Sequence, residues 1–318
     1  GGAGTDTLAV GSIEDLNLIN VTGIEVLRAA GSGNSSLFVG LNAQTGGIRS
    51  VLGGDGNDTL HAGKFTAGIT LDGGQGNDSL ILSTGANLRL GQVSGGLGTD
   101  TLSFAVDALS VVDADFARAS SVEVLKMANG NNRVILEGSA LVAGIQSVIG
   151  GSGNDTFDAA AFTAIRALSI NGGAGDDSMI GGQGADNMLG GSGKDILIGK
   201  DGNDFLNGGS GDDILVGSDI YNPYENIQID TLTGGSGNDI FFFWNTTSLS
   251  YNKFGMNDYA IITDFEIGKD LISFGGYTPD ISAVLPVGVT SGEAIYNGTE
   301  LIAVIQPTTG SLSSSDFI

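Results

Sequence analysis

The chain has 318 residues, of which 55 are Gly, 36 are Asp or Glu, 12 are Lys or Arg, and none is Cys. A formal charge of −24 argues against binding nucleic acid or an anionic membrane through a basic surface and makes cations the natural partners. Without Cys there is no disulfide framework, thiolate metal site or cysteine nucleophile, so a secreted protein of this composition needs another source of stability, and bound metal is the expectation.

An apolar share of 41% is enough for a substantial core. There is no run of 18 apolar residues and no basic-plus-apolar leader, so neither a membrane span nor a signal peptide is expected. The chain opens on Gly1-Gly2-Ala3-Gly4, inside a pattern that recurs downstream, which leads us to expect a fragment of something longer. Of the carboxylates, 28 are Asp and 8 are Glu. Short carboxylates beside glycine indicate turns.

The pattern is G-G-x-G-x-D-x-U-x, with U apolar. In residues 1–171 it starts at Gly1, Gly53, Gly73, Gly95 and Gly150, with Asp6, Asp58, Asp78, Asp100 and Asp155 at position six. Alternating stretches such as Leu16-Asn17-Leu18-Ile19-Asn20-Val21 and Val134-Ile135-Leu136 lie between copies and read as strands without acidic turns. This region is also duplicated: Gly1 to Leu8 recurs at Gly95 to Leu102, Ile24-Glu25-Val26-Leu27 at Val122-Glu123-Val124-Leu125, and Gly53 to Leu60 at Gly150 to Phe157. We read 1–171 as a wide, irregular β-solenoid with sparse copies of the acidic motif, and expect short helices within Asp113–Ser120 and Ala159–Leu168.

From 172 to 242 the unit runs in tandem. Copies start at Gly172, Gly181, Gly190, Gly199 and Gly208 at strict period nine, and a further one starts at Gly234. Position six is Asp177, Asp186, Asp195, Asp204, Asp213 and Asp239. Lys200 is the one departure among the motif glycines, and a broken copy starts at Gly217 and resumes at Asp230 after an insertion carrying Tyr221, Pro223 and Tyr224. The pattern resembles the RTX family of secreted bacterial proteins, whose nonapeptides bind calcium in a parallel β-roll. The resemblance implies an all-β fold, a parallel β-roll or β-solenoid with stacked calcium turns, and Ca²⁺ as the bound ion.

The unit's physics can be read independently of the family. Glycines at positions one, two and four permit a tight turn with carbonyls pointing inward, and x-U-x makes a short strand with U in the interior. Two units make a coil of eighteen residues, so Asp n and Asp n+18 stack roughly 4.8 Å apart and repel unless a cation intervenes. Calcium, a hard ion taking about 6–8 oxygens, fits such a site. The expected pairs are Asp177 with Asp195, Asp195 with Asp213, Asp186 with Asp204, Asp58 with Asp78, Asp78 with Asp100, Asp155 with Asp177, and Asp213 with Asp239. Carbonyls of the motif glycines Gly172, Gly181, Gly190, Gly199 and Gly208 are the expected co-donors.

The remainder, 243–318, follows an aromatic run at Ile240-Phe241-Phe242-Phe243-Trp244 and contains Asp264-Phe265-Glu266-Ile267-Gly268-Lys269-Asp270-Leu271-Ile272. A solenoid's open end needs a cover, and this segment resembles the D-F-x-x-G-x-D-x-I-x-F piece that closes RTX rolls of secreted metalloproteases and lipases. Leu312 to Ile318 is similar to the tails that family members use for type I secretion.

No catalytic constellation stands out, and an enzyme is not expected. His61 stands alone at an outward position. The pairs Asp176-Asp177 and Asp212-Asp213 are motif positions five and six, the first of each expected to be solvated. Gly190-Gly191-Ser192-Gly193-Lys194 lacks the Ser or Thr and the leading Gly of a phosphate loop. The expectation is a secreted, extracellular calcium-binding module that folds on external calcium as part of a cell-surface or S-layer-like protein, able to self-associate. The alternative is the non-catalytic folding and export module of an RTX protease, lipase or polysaccharide-modifying enzyme. An adhesin or ice-binding solenoid is disfavoured, since position three is never Thr.

Overall fold

A computed structural model describes residues 1–13, 15–163, 166–218, 228–243, 259–274, 280–282, 292–297, 300–306 and 310–318. The insertion with Tyr221, Pro223 and Tyr224, and also Trp244, lie outside the described residues. The chain divides into two compact units, Gly1–Gly151 and Ser152–Ile318. Both are built from short parallel strands stacked coil upon coil, and no barrel closes. The fold is a parallel β-roll.

In the first unit one sheet runs in the order Thr7–Val10, Val26–Ala29, Ser50–Asp55, Thr70–Gln75, Gln92–Leu97, Ala119–Ser120. Its companion stacks Ser36–Phe38, Thr59–His61, Ser79–Leu82, Thr101–Phe104, Val124–Lys126 and Ser147–Ser152. A small third pair joins Ser110–Val111 to Arg133–Ile135. Alternation puts every second side chain inside, so Leu27, Val51 and Leu71 fill one inner rank and Leu37, Leu60, Leu80, Leu102, Leu125 and Val148 the other, each 0% exposed. The companion strands return to the first sheet through loops that hold six-residue α-helices at Leu41–Gly46 and Gly85–Leu90; a third such helix is Gly138–Ala143.

Of the two helices expected from sequence, Asp113–Arg118 is a 3-10 helix, whereas the described part of 159–168 contains none. The three α-helices escaped the sequence reading because six residues are too few for a 3.6-residue apolar period to show.

In the second unit, Ser169–Ala174, Asn187–Ser192, Phe205–Ser210, Ile229–Ser236 and Tyr259–Ile262 stack in parallel in one sheet. Thr156–Asp158, Ser178–Ile180, Ile196–Lys200, Ile214–Ser218, Ile240–Phe242 and Leu271–Ser273 stack in the other. The apolar motif residues Phe157, Met179, Met188, Leu197, Leu206, Leu215 and Phe241 are all buried between them. The parallel stack ends on strand Glu300–Ile305, which pairs in parallel with Tyr259–Ile262 but antiparallel with Glu293–Asn297, itself antiparallel to Asp280–Ser282. This meander, with Tyr259, Ala294, Tyr296, Leu301 and Val304 as its core, covers an edge that would otherwise recruit other strands. The tail is docked too: Phe317 bridges to Ile272 and packs 6.1 Å from Phe274, while buried Asp316 accepts hydrogen bonds from the Ser313 and Gly268 amides.

Candidate calcium columns

In most copies, Gly181-Gly182 and Gly1-Gly2 excepted, the first two motif positions are not in the turn, as the sequence suggested, but at the end of a strand. Strand Ser169–Ala174 runs through Gly172 and Gly173, and Gly173 pairs with Gly191 of the next coil. The direction reverses after them, where Gly175 takes φ +124°, and Asp177 directly precedes strand Ser178–Ile180. Gly172 is required for space: a β-carbon there would run into Asp177 Oδ2 and stand 2.7 Å from the Gly190 carbonyl oxygen. The carbonyls of Gly199 and Gly208 approach Gly181 and Gly190 in the same way, at 2.5 Å from such a carbon, with Asp186 and Asp195 Oδ2 beside them. Thus Gly172, Gly181 and Gly190 each make room where a carboxylate oxygen and a neighbouring carbonyl oxygen converge.

The structure stacks the predicted aspartates in columns. Each later carboxylate accepts, through Oδ1, the backbone amide of the aspartate one coil before it. Asp58 N donates to Asp78 at 2.7 Å, Asp78 N to Asp100 at 2.7 Å, and Asp155 N to Asp177 at 2.7 Å. Asp177 N reaches Asp195, Asp186 N reaches Asp204 and Asp195 N reaches Asp213, all at 2.8 Å, and Asp213 N reaches Asp239 at 2.9 Å across the insertion. Register explains this order, since each Asp sits one residue before a strand whose partners are in step. The aspartates therefore do not face one another with both oxygens, as simple stacking implied; one oxygen of each is taken up by the main chain.

The other oxygen is what points to a metal. Oδ2 of Asp58, Asp78, Asp100, Asp177, Asp195, Asp204, Asp213 and Asp239 is buried and receives no hydrogen bond. A charged oxygen held this way is costly unless a cation compensates it. Burial, opposed by the amide bond and reinforced by neighbouring aspartates, pushes Asp78 and Asp213 up to about 6, and Asp177 and Asp239 up to about 7. Asp100, Asp186 and Asp195 are raised by burial as well, and Asp204 by burial and the adjacent Asp230 charge.

Among the described residues no three His, Cys, Asp or Glu side chains converge, so carbonyl oxygens have to complete any shell. One carboxylate oxygen with glycine carbonyls is an all-oxygen donor set, which suits calcium and not a nitrogen- or sulfur-seeking ion. Asp186 differs, because it opens its column: Oδ1 accepts Leu168 N at 2.8 Å and Oδ2 accepts Gly182 N at 2.7 Å.

Several participants were missed from sequence. Asp230, fully buried, continues the Asp186 and Asp204 column by accepting Asp204 N at 2.8 Å. Asp270 follows Asp239 and accepts its amide at 3.1 Å, with its second oxygen satisfied by Glu266 N at 2.8 Å, so the column closes on amides. Glu123 and Glu25 take the same place after Asp100 and Asp6, each accepting at 2.9 Å. The signal was there, an acid one residue before x-U-x, without the glycines that drew attention to the other copies.

The position-five side chains form a second ladder running the opposite way. Asn34 accepts Asn57 N at 2.9 Å, Asn57 accepts Asn77 N at 2.8 Å, and Asn77 accepts Thr99 N at 2.8 Å. Asp176 and Asp212, expected to be merely solvated, belong to it: Asp176 accepts Lys194 N at 2.8 Å, and Asp212 accepts Asn238 N at 3.1 Å and Lys194 Nζ at 2.7 Å. The Lys194 contact, with the Asn238 donors, holds Asp212 down at about 2. His61 stacks on Phe38 with ring centres 5.0 Å apart, in a packing role.

The model of the RTX calcium-binding nonapeptide repeat matches residues 50–65, 70–88, 143–162, 169–197, 189–219 and 228–244. The chain carries RTX calcium-binding nonapeptide repeats. RTX repeats bind calcium and mark modules of secreted proteins, and the matched segments cover Asp58, Asp78, Asp155 and the whole run from Asp177 to Asp213, with Asp239. The RTX match does not extend to Asp6 and Asp100, which the motif places in the ranks, nor to Glu25 and Glu123, which the fold adds. No curated protein matches the chain.

Proposed function

We propose that this chain is a non-catalytic module that folds on extracellular calcium and serves in a secreted cell-surface protein of the S-layer type, where its coils self-associate. The observation that carries the calcium-folding part is the set of buried, hydrogen-free Oδ2 atoms, repeated coil after coil beside glycine carbonyls. Calcium, when bound, supplies the positive charge that these oxygens lack. Asp177, Asp195, Asp213 and Asp239 hold it in one column and Asp204 in the other, with Asp58, Asp78 and Asp100 in the first unit. In a calcium-poor compartment the columns repel, and a chain with 55 glycines cannot offset its backbone entropy, so it stays extended and threadable through type I export machinery. Outside, where modules of this kind bind at about 10⁻⁴–10⁻³ M, it folds.

The surface role is supported by how much of the chain is solenoid. A second reading, the folding and export part of an RTX enzyme, is favoured by the closing segment Asp264 to Ile272 and its docked tail. Calcium titration followed by light scattering distinguishes them. Ordered assemblies that grow with calcium support the surface role, and a chain that folds as calcium rises but stays monomeric supports the export module.

A further inference from the structure

Arginine is unevenly placed in this acidic chain: five of the six, Arg28, Arg49, Arg89, Arg118 and Arg133, lie in the first unit. Three of these, Arg28, Arg49 and Arg118, are exposed along the sheet that runs from Thr7–Val10 to Ala119–Ser120 and have no carboxylate partner among the described residues. Arg89 is already neutralised by Asp115 at 2.6 Å.

Arg49 and Arg118 flank one recess of about 340 Å³, lined between them by Thr70 and Gln92, by Ile69 and the exposed Leu90, and by Gly68 and Gly91. Arg49 immediately precedes strand Ser50–Asp55 and Arg118 precedes Ala119–Ser120, with the strands bearing Thr70 and Gln92 between them. At about 4.8 Å per strand, the two cations are spaced roughly 14 Å apart along the stacking direction. Both are braced by local carbonyls. Arg49 Nη1 donates to Gln44 O at 3.3 Å and Ile48 O at 2.8 Å, and Arg118 Nη1 to Leu90 O at 3.5 Å, and both side chains are exposed. The neighbouring recess around Arg28 contains Asp55 and Asp72 and lacks this character.

We infer that the Arg49–Arg118 recess binds an acidic polysaccharide, its carboxylates or sulfates held by the two guanidiniums and its hydroxyls by Thr70 and Gln92. Charge complementarity selects an anion. Thr70 and Gln92 offer hydroxyl and amide partners, and the lining has no aromatic anchor and Leu90 as its one exposed apolar side chain, which suits a hydroxyl-rich chain better than a protein partner, whose interface needs a larger apolar centre. The separation of the cations along the stack suits a linear polymer over a single small ion. This inference goes beyond the calcium-folding reading and does not depend on it, because none of the four side chains belongs to the acidic columns.

The test is calorimetric titration of the calcium-loaded chain with an oligogalacturonate, a polyphosphate and a neutral dextran, at fixed free calcium. The expected result is binding of the oligogalacturonate, weakened at least tenfold by the Arg49→Gln, Arg118→Gln double variant and weakened steadily by added salt, with dextran silent. The double variant's circular dichroism should still respond to calcium as the parent does. Equal affinity in the double variant, insensitivity to salt, or equal binding of dextran would overturn the proposal, and binding of polyphosphate alone would overturn the choice of a polysaccharide. If the double variant does not fold, the Arg49→Lys, Arg118→Lys pair is used: charge without the planar fork should bind measurably but several-fold more weakly, and unchanged affinity would count against the site.

Discussion

At the residue scale, one atom distinguishes these aspartates from ordinary buried acids. Asp195 gives Oδ1 to the Asp177 amide and holds Oδ2 with no hydrogen. Asp195→Asn should keep the amide bond but lose the charge, so the calcium concentration at the midpoint of folding should rise several-fold, measured by circular dichroism. Metal-free stability has a definite sign with pH. Asp78, Asp177, Asp213 and Asp239 sit at about 6 to 7 when folded against 3.8 in a free chain, so the folded state holds protons that the unfolded chain has lost. In EGTA, stability should therefore be greatest below about pH 4 and fall as pH rises to about 7, and melts that strengthen over that range would refute the burial argument. Lys200 makes a third case. It holds φ +79° where other copies have glycine, so Lys200→Gly should raise stability by about 0.5–1 kcal/mol, read from the shift in the melting curve.

At the element scale, each coil is held by an apolar rank inside and two oppositely directed hydrogen-bond ladders at its turns. Leu197 is fully buried between its neighbours in the stack, and Leu197→Ala should cost about 2–5 kcal/mol in the calcium-loaded protein, measured by denaturant titration. Much of this was legible in the sequence. The period of nine put Asp177, Asp195 and Asp213 in one column and turned Leu197 and Leu215 inward, because a strand's side chains alternate and two units close one coil. The amide of the preceding coil could not be read, since a spacing says which residues stack but not which atoms meet. Glu25, Glu123, Asp230 and Asp270 were legible in the acid-x-U ending that they keep, but without the leading glycines they were not assigned to the columns. The helix Leu41–Gly46 was hidden for the opposite reason, a structure too short to leave a period.

Across the whole molecule, charge and glycine are parts of one mechanism. The formal −24 describes the metal-free chain, which on the proposed function repulsion and backbone entropy keep open; each bound calcium removes two units of that charge. The most direct test is a calcium titration of the EGTA-treated chain by far-ultraviolet circular dichroism. The account predicts a largely unordered spectrum in EGTA at neutral pH and a cooperative gain of β-structure as calcium rises toward the millimolar range. A full β-spectrum that survives chelation unchanged at neutral pH would contradict it.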